Sequence, residues 1–330
     1  MTPTLDDIEA AARRLDGIAV RTTLLSSPAL DAVTDGHIRL KCETLQRTGS
    51  FKFRGAYNAV SSLTPEQGRN GVVATSSGNH AQGVAAAASI LGYRSTIVMP
   101  ADAPKLKIEG TRRLGGDIIL YDRANEDRDA IAANIIARTG GVLIHPFNDR
   151  NVIAGQGTVG LEISADCEAT GFSVEAVLVP CSGGGFSSGV NLAMTARGTG
   201  ARTYVVEPAG FDDYGRSLAA GSPQRNPALS GSICDALLAP TPGAISFEIN
   251  NRLGAGALTV TDREVLEAMA FAFRTLKLVV EPGGAVALAA LLSGRFDARG
   301  RNVVVVLSGG NVDPAMMMTA LASPPSGLGV

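Results

Sequence analysis

The chain has 330 residues, 45% of them hydrophobic, with 39 glycines, no tryptophan and a formal net charge of -2. That length exceeds one typical core, so two domains or one large one are expected, of a compact α/β kind rich in tight turns. Charges of both signs are interspersed, which excludes an electrostatic footprint for nucleic acid or an acidic membrane surface and points to a small, near-neutral partner.

Residues 5–15 have the apolar spacing of an amphipathic helix and lack the basic start and apolar centre of a secretory signal. The longest apolar runs are too short to span a bilayer. Cys42, Cys167, Cys181 and Cys234 show no C-x-x-C spacing, and three of them stand in apolar runs. Buried free thiols in a reducing cytosol are therefore expected, rather than disulfides or zinc ligands. The expected protein is soluble and cytoplasmic.

Residues 21–25 and 37–43 read as short strands leading into Ser50-Phe51-Lys52-Phe53-Arg54-Gly55-Ala56. Two aromatic neighbours leave the Lys52 ammonium poorly solvated, and a helix over residues 53–60 with Ser50 as its cap would put Lys52 in a first turn. Both effects favour the neutral, nucleophilic amine, the usual anchor for an aldehyde cofactor. A surface lysine snorkelling beside two core aromatics is the plainer account of these residues alone.

Beyond residue 70 strands and helices alternate. Strands are expected at 71–76, 95–100, 117–121 and 142–146, with helices at 81–91, 105–114 and 126–138 between them. A second series follows: a helix through 157–163, strands at 176–181 and 203–207, helices at 265–278 and 283–292, and a central strand at 302–307. Alternation of this kind implies parallel sheets with right-handed crossovers. Two open, mostly parallel twisted sheets flanked by helices are expected, in a large domain of residues 1–67 and 150–330 and a small inserted domain of residues 68–149. A Pro/Gly/Ser tail after Ala322 is expected to fray.

Ligands of open parallel sheets bind at the carboxyl ends of strands. Ser182-Gly183-Gly184-Gly185 stands there before a helix, so its N–H groups can cradle a phosphate, although a tight turn would use the same glycines. It lacks the lysine of a triphosphate loop and the G-x-G-x-x-G register. Ser76-Ser77-Gly78-Asn79-His80 opens another helix with hydroxyls and an amide suited to a carboxylate or phenolate oxygen, and capping alone would need only one or two of them.

These segments, with Glu281-Pro282-Gly283-Gly284-Ala285 and Ser308-Gly309-Gly310-Asn311, match in order and spacing the pyridoxal-phosphate enzymes of the tryptophan-synthase-β fold group. Within it the chain resembles the serine/threonine dehydratase and serine racemase branch over residues 5–315. The resemblance implies that the cofactor sits in the cleft between two domains, bound by Phe51, Lys52, Asn79, Ser182, Gly183, Gly184, Gly185, Phe186 and Ser308. Lys52 would carry it as a Schiff base and remove the α-proton, and Asn79 would meet the ring hydroxyl. Ser308 would meet the pyridine nitrogen and leave it largely unprotonated, which favours β-elimination. Ser76, Ser77, Asn79 and His80 would clamp the substrate carboxylate, and Ser77 stands where racemases of this branch keep a second base. Glu207, the Phe211 carbonyl and Asp213 resemble the branch's divalent-cation site, suited to Mg2+, Ca2+ or Mn2+; without the resemblance they are ordinary loop residues.

The implied activity is an ammonia-lyase converting L-threonine or L-serine to a 2-keto acid and ammonia. Hydroxyaspartate, phenylserine and serine racemisation are the alternatives, and relatives are usually homodimers. Cys234-Asp235-Ala236 departs from the Ala-Asp-Gly common in relatives, so the loop after Ser230 is expected to differ in shape. Arg128 is read as a surface i, i+4 partner, or else as a binder of a second substrate carboxylate. The sequence leaves no room for the C-terminal regulatory domain of biosynthetic threonine deaminases, so distal feedback control is not expected.

Overall fold

The computed structural model describes residues 1–76, 78–103, 105–122 and 124–322. Ser77 and the tail from residue 323 lie outside the described residues. The strands are β1 (Leu24–Ser26), β2 (His37–Cys42), β3 (Val72–Thr75), β4 (Ser95–Pro100), β5 (Gly116–Tyr121), β6 (Val142–Leu143), β7 (Ala176–Pro180), β8 (Arg202–Pro208), β9 (Gly256–Val260) and β10 (Asn302–Leu307). They form two sheets, one in the order β1-β2-β10-β7-β8-β9 and the other β5-β4-β3-β6. Every pairing is parallel except β1 with β2.

The run Val303-Val-Val-Val-Leu307 explains why β10 is central, because it is buried on both faces. Val303 and Val305 pack in one cluster with Val286 and Leu288 of the helix Pro282–Leu292. Val304 and Val306 pack in another, with Val159 and Ile163 of the helix Arg150–Ala169 and Val190 and Met194 of the helix Gly185–Ala196. Alternate side chains of one strand thus weld helices onto opposite faces of the sheet.

The elements expected between residues 71 and 146 are all present, their ends unmoved or moved by at most three residues. The helix expected over 265–278 instead divides into Asp262–Phe271 and a π-helical segment, Ala272–Leu276, ending at Lys277 with φ 60°. Strand β9 and the helices Asp213–Ala220, Ala244–Arg252 and Pro314–Ala322 were not separated in the sequence. All four cysteines are free and buried. No helix of the described residues is long and apolar enough to cross a membrane.

Candidate active site

The lysine motif enters its helix from extended backbone. Ser50 has φ -161° and ψ 159° and pairs with Gly309 in an isolated antiparallel bridge, so it does not cap the helix Lys52–Ser61. Its hydroxyl has no hydrogen-bond partner. The bridge takes over the orienting role expected of a cap: Phe51 N donates to the Ser308 carbonyl at 3.1 Å and Gly310 N to the Gly49 carbonyl at 2.9 Å. Loop 308–311 therefore runs beside Lys52, the first residue of its helix.

Lys52 Nζ donates to the Pro146 carbonyl at 2.8 Å, and burial pulls its amine down to about 8. Next to it, Arg54 is fully buried. Its guanidinium donates to Glu43 Oε2 and Oε1, both at 2.8 Å, and to Glu162 Oε1 at 2.6 Å. Lys41 Nζ donates to Glu162 Oε2 at 2.6 Å. This buried cluster pins the first turn of the lysine helix to β2 and to the helix Arg150–Ala169.

Two helix N-termini flank the lysine. The helix Gly185–Ala196 begins directly after Gly184, whose φ is +84°. A Cβ on Gly183 would strike the Phe147 ring, and one on Gly184 the Tyr214 ring, so glycine is required at both positions. The loop is also tied from behind, since the Gly183 carbonyl accepts from Gly243 N at 3.0 Å and Ser246 Oγ at 2.6 Å. Ser182 Oγ accepts from Ala239 N at 3.1 Å. The stretch after Asp235 thus supports the glycine loop and contains the start of the helix Ala244–Arg252. Phe186 stacks on Phe51 with ring centroids 3.9 Å apart and planes at 13°.

The other helix, Asn79–Ile90, starts at Gly78. Ser76 Oγ accepts from Gly78 N at 3.2 Å. Asn79 Nδ2 donates to Glu281 Oε1 at 2.5 Å, and Asn79 Oδ1 accepts from Asn311 Nδ2 at 2.8 Å. His80 Nε2 lies 2.8 Å from the Ile144 carbonyl, while its Nδ1 is buried without a partner. Burial and the Lys52 charge push His80 down to about 3, so it is a neutral imidazole. His145 is also shifted down, and its Nδ1 accepts from Phe147 N and Asn148 N.

Glu207 and Asp213 stand apart from this constellation. Glu207 Oε1 and Oε2 accept from Tyr214 N at 3.0 Å and Gly215 N at 2.7 Å. Asp213 Oδ1 accepts from Asn226 Nδ2 at 2.5 Å, and its Oδ2 is buried without a partner. Burial raises both carboxyls, Asp213 to about 6, and the Asp213 charge raises Glu207 further. Phe211 is buried beside them in sequence. Among the described residues no group of three His, Cys, Asp or Glu side chains converges as a metal cluster.

Arg128 opens its helix, is half exposed and stands 3.5 Å from Asp129, its neighbour in sequence rather than an i, i+4 partner. Lys107 and Gln82 escaped the sequence reading. Both are buried and line a cavity of about 470 Å³ with Asp235, Glu281 and Asn311. The signal for Lys107 lay elsewhere in the chain, in Gly78 and Asp235, which make room and charge for it.

Residues 16–309 match the sequence profile of the family described as pyridoxal-phosphate dependent enzyme. An L-threonine ammonia-lyase of Thermotoga maritima is 42% identical over 316 residues, 95% of this chain and 77% of the relative. An L-threo-3-hydroxyaspartate ammonia-lyase of a Pseudomonas species is 43% identical over 309 residues, covering 93% and 95%. Among solved structures, maize serine racemase superposes with a TM-score of 0.91 at 36% identity, covering 97% of each chain.

Proposed function

The chain belongs to the family of pyridoxal-phosphate-dependent enzymes, and from that premise we propose that it is an ammonia-lyase of β-hydroxy-α-amino acids. L-threonine and L-serine are the first-choice substrates, converted to a 2-keto acid and ammonia by α,β-elimination. The observation that carries this reading is the Lys52 amine, drawn toward its neutral form between two helix N-termini.

When bound, pyridoxal phosphate supplies an aldehyde for the substrate amine and a ring that withdraws electrons from the α-carbon. The residues present fit it: an amine titrating near 8, a glycine loop that admits no side chain, and a buried hydroxyl at Ser308. Lys52 would hold the aldehyde carbon and, once released, take the α-proton at Nζ. The N–H groups of Gly183, Gly184, Gly185 and Phe186, with Ser182, would take the phosphate at the helix N-terminus. Asn79 would meet the ring hydroxyl, Ser308 the ring nitrogen, and Phe51 one side of the ring. Ser76, Asn79 and His80 would receive the substrate carboxylate, His80 through its backbone N–H at the helix N-terminus, because the single N–H of its neutral ring is held by the Ile144 carbonyl. Ser77 is the proposed base for the opposite face in a racemase side activity.

The Pseudomonas relative, at nearly the same identity as the threonine enzyme, favours hydroxyaspartate as a second reading. A second carboxylate needs a free cation, and Arg128 and Lys107 already have acidic neighbours. A divalent cation, Mg2+ before Ca2+ or Mn2+, would fit between Glu207, the Phe211 carbonyl and Asp213. Support for it comes from two buried carboxyls, one with an unpartnered oxygen, whose repulsion a cation would relieve. The two sheets support the division into residues 1–67 with 150–330 and an inserted unit of 68–149, with the lysine between them. A cytoplasmic homodimer is the companion inference: Phe273 and Met318 are 42% and 64% exposed on elements that the Arg274–Leu321 hydrogen bond joins, apolar surface suited to a second copy.

The test is release of keto acid from a panel of β-hydroxy amino acids in both stereochemical series, with Lys52→Ala as control. Turnover of threonine and serine above all others is expected. Turnover confined to hydroxyaspartate would move the specificity argument to Arg128 and Lys107, and no release from any substrate would overturn the lyase reading.

A further inference from the structure

Lys107, on the helix Lys105–Arg113, is buried while its neighbours Lys105 and Glu109 are exposed. Its stem lies against Gly78, where a Cβ would be 3.1 Å from Cδ and 3.3 Å from Nζ. The ammonium donates to Asp235 Oδ2 at 2.6 Å and stands 4.0 Å from Glu281 Oε2. Glu281 is the N-cap residue of the helix Pro282–Leu292, and its carboxyl abuts the Cα of Gly309, where a side chain would collide with Oε1.

The hydrogen bonds around Glu281 form a chain whose direction is fixed at its far end. The Thr48 carbonyl accepts from Asn311 Nδ2 at 2.7 Å, and a carbonyl can only accept. The same Nδ2 therefore meets Asn79 through its oxygen, which turns the Asn79 amide nitrogen toward Glu281. Both groups facing the Glu281 carboxyl, the Asn79 amide and the Lys107 ammonium, are donors. Oε2 has no hydrogen-bond partner, so a proton placed on it would have nowhere to point except at a cation.

We propose that Lys107 is a positioning residue: its ammonium keeps the buried Glu281 carboxylate ionised, and that charge holds the Asn79 amide nitrogen in the orientation that the Thr48–Asn311 end of the chain sets. The inference rests on the reading of Asn79 as a ligand of the cofactor ring. The charged or titratable groups facing Glu281 are Lys107, Asp235 behind it, and the Cys234 thiol, which burial holds neutral. Burial pushes Glu281 up to about 7, Lys107 pulls against that rise, and Asp235 adds to it. The two partners of the ion pair therefore act on Glu281 with opposite sign.

The experiment follows the infrared C=O stretch of protonated Glu281 in the loaded holoenzyme through a pH titration, identified by its loss in Glu281→Gln. Visible absorption of the cofactor is read on the same samples. In the wild type the band should vanish with a midpoint near 7. Lys107→Met should raise that midpoint by about 1 pH unit or more, Lys107→Arg should restore it, and Asp235→Asn, which frees the ammonium, should lower it. The cofactor spectrum should change with the same midpoint in each protein. Asp235 is partly exposed, so its variant gives an answer even if Lys107→Met fails to fold. A midpoint unmoved by the variants, or no Glu281 band at any pH in Lys107→Met, overturns the inference. Absence of a cofactor absorption band after loading overturns the site reading beneath it.

Discussion

Lys52 shows how the disposition proposed for catalysis is stored as a stability cost. In the fold its amine titrates near 8, against 10.5 for a free lysine. Below pH 8 both folded and unfolded chains carry the proton, and the fold bears the full burial penalty. Between 8 and 10.5 the unfolded chain binds more protons, so stability rises with pH. Lys52→Met should therefore raise the melting temperature of the cofactor-free protein at pH 7, with a gain that fades as the pH approaches 10.5. Asp213 has the opposite dependence. Its folded carboxyl titrates near 6 rather than 3.8, so the metal-free protein should lose stability as the pH rises through that interval. Added Mg2+ should raise the melting temperature at pH 7, and Asp213→Asn should abolish that response. A melting temperature indifferent to Mg2+, Ca2+ and Mn2+ alike would remove the cation from the proposal.

At the scale of elements, what positions the site is packing from behind. The glycine loop leans on Phe147 and Tyr214, so Gly184→Ala would combine a left-handed backbone with a ring collision. A loss of about 2 kcal/mol or more is expected in urea unfolding, together with weaker cofactor uptake. The Arg54 cluster ties three elements together, with Arg54 and Glu43 fully buried and only Glu162 partly open to water. Arg54→Met strips Glu43 of its cation at a buried position, and about 3–5 kcal/mol of destabilisation is expected. Changes below 1 kcal/mol would show that the cluster relaxes or admits water.

Sequence patterning reached these elements unevenly. Strands such as Val72–Thr75 and Asn302–Leu307 were legible because burial on both faces leaves an unbroken apolar run. Strand Gly256–Val260 was not, since its middle residues are partly exposed and it opens with glycine. Ser50 looked like a cap because its neighbours allow one. Only the bridge to Gly309, 259 positions away, decides against it. Lys107 was invisible for the same reason: its helix reads as a solvated one, and the groups that bury it come from other parts of the chain.

At the scale of the whole molecule, strand order separates space from sequence. Strand β10 lies between β2 and β7, yet it is the last strand of the chain to be made. During synthesis β2 and β7 have no common neighbour until residues 302–307 arrive, so the six-stranded sheet closes only after β10 is made. The four-stranded sheet needs nothing beyond Leu143 and has no such wait. A chain ending at residue 300 should accordingly keep two bare strand edges and precipitate on expression, whereas Met318→Lys, far later on an exposed surface, should not. The topology thereby ties closure of the sheet to one late segment: a chain that stops short of residues 302–307 cannot hide the edges of β2 and β7, and it carries that fault on its surface.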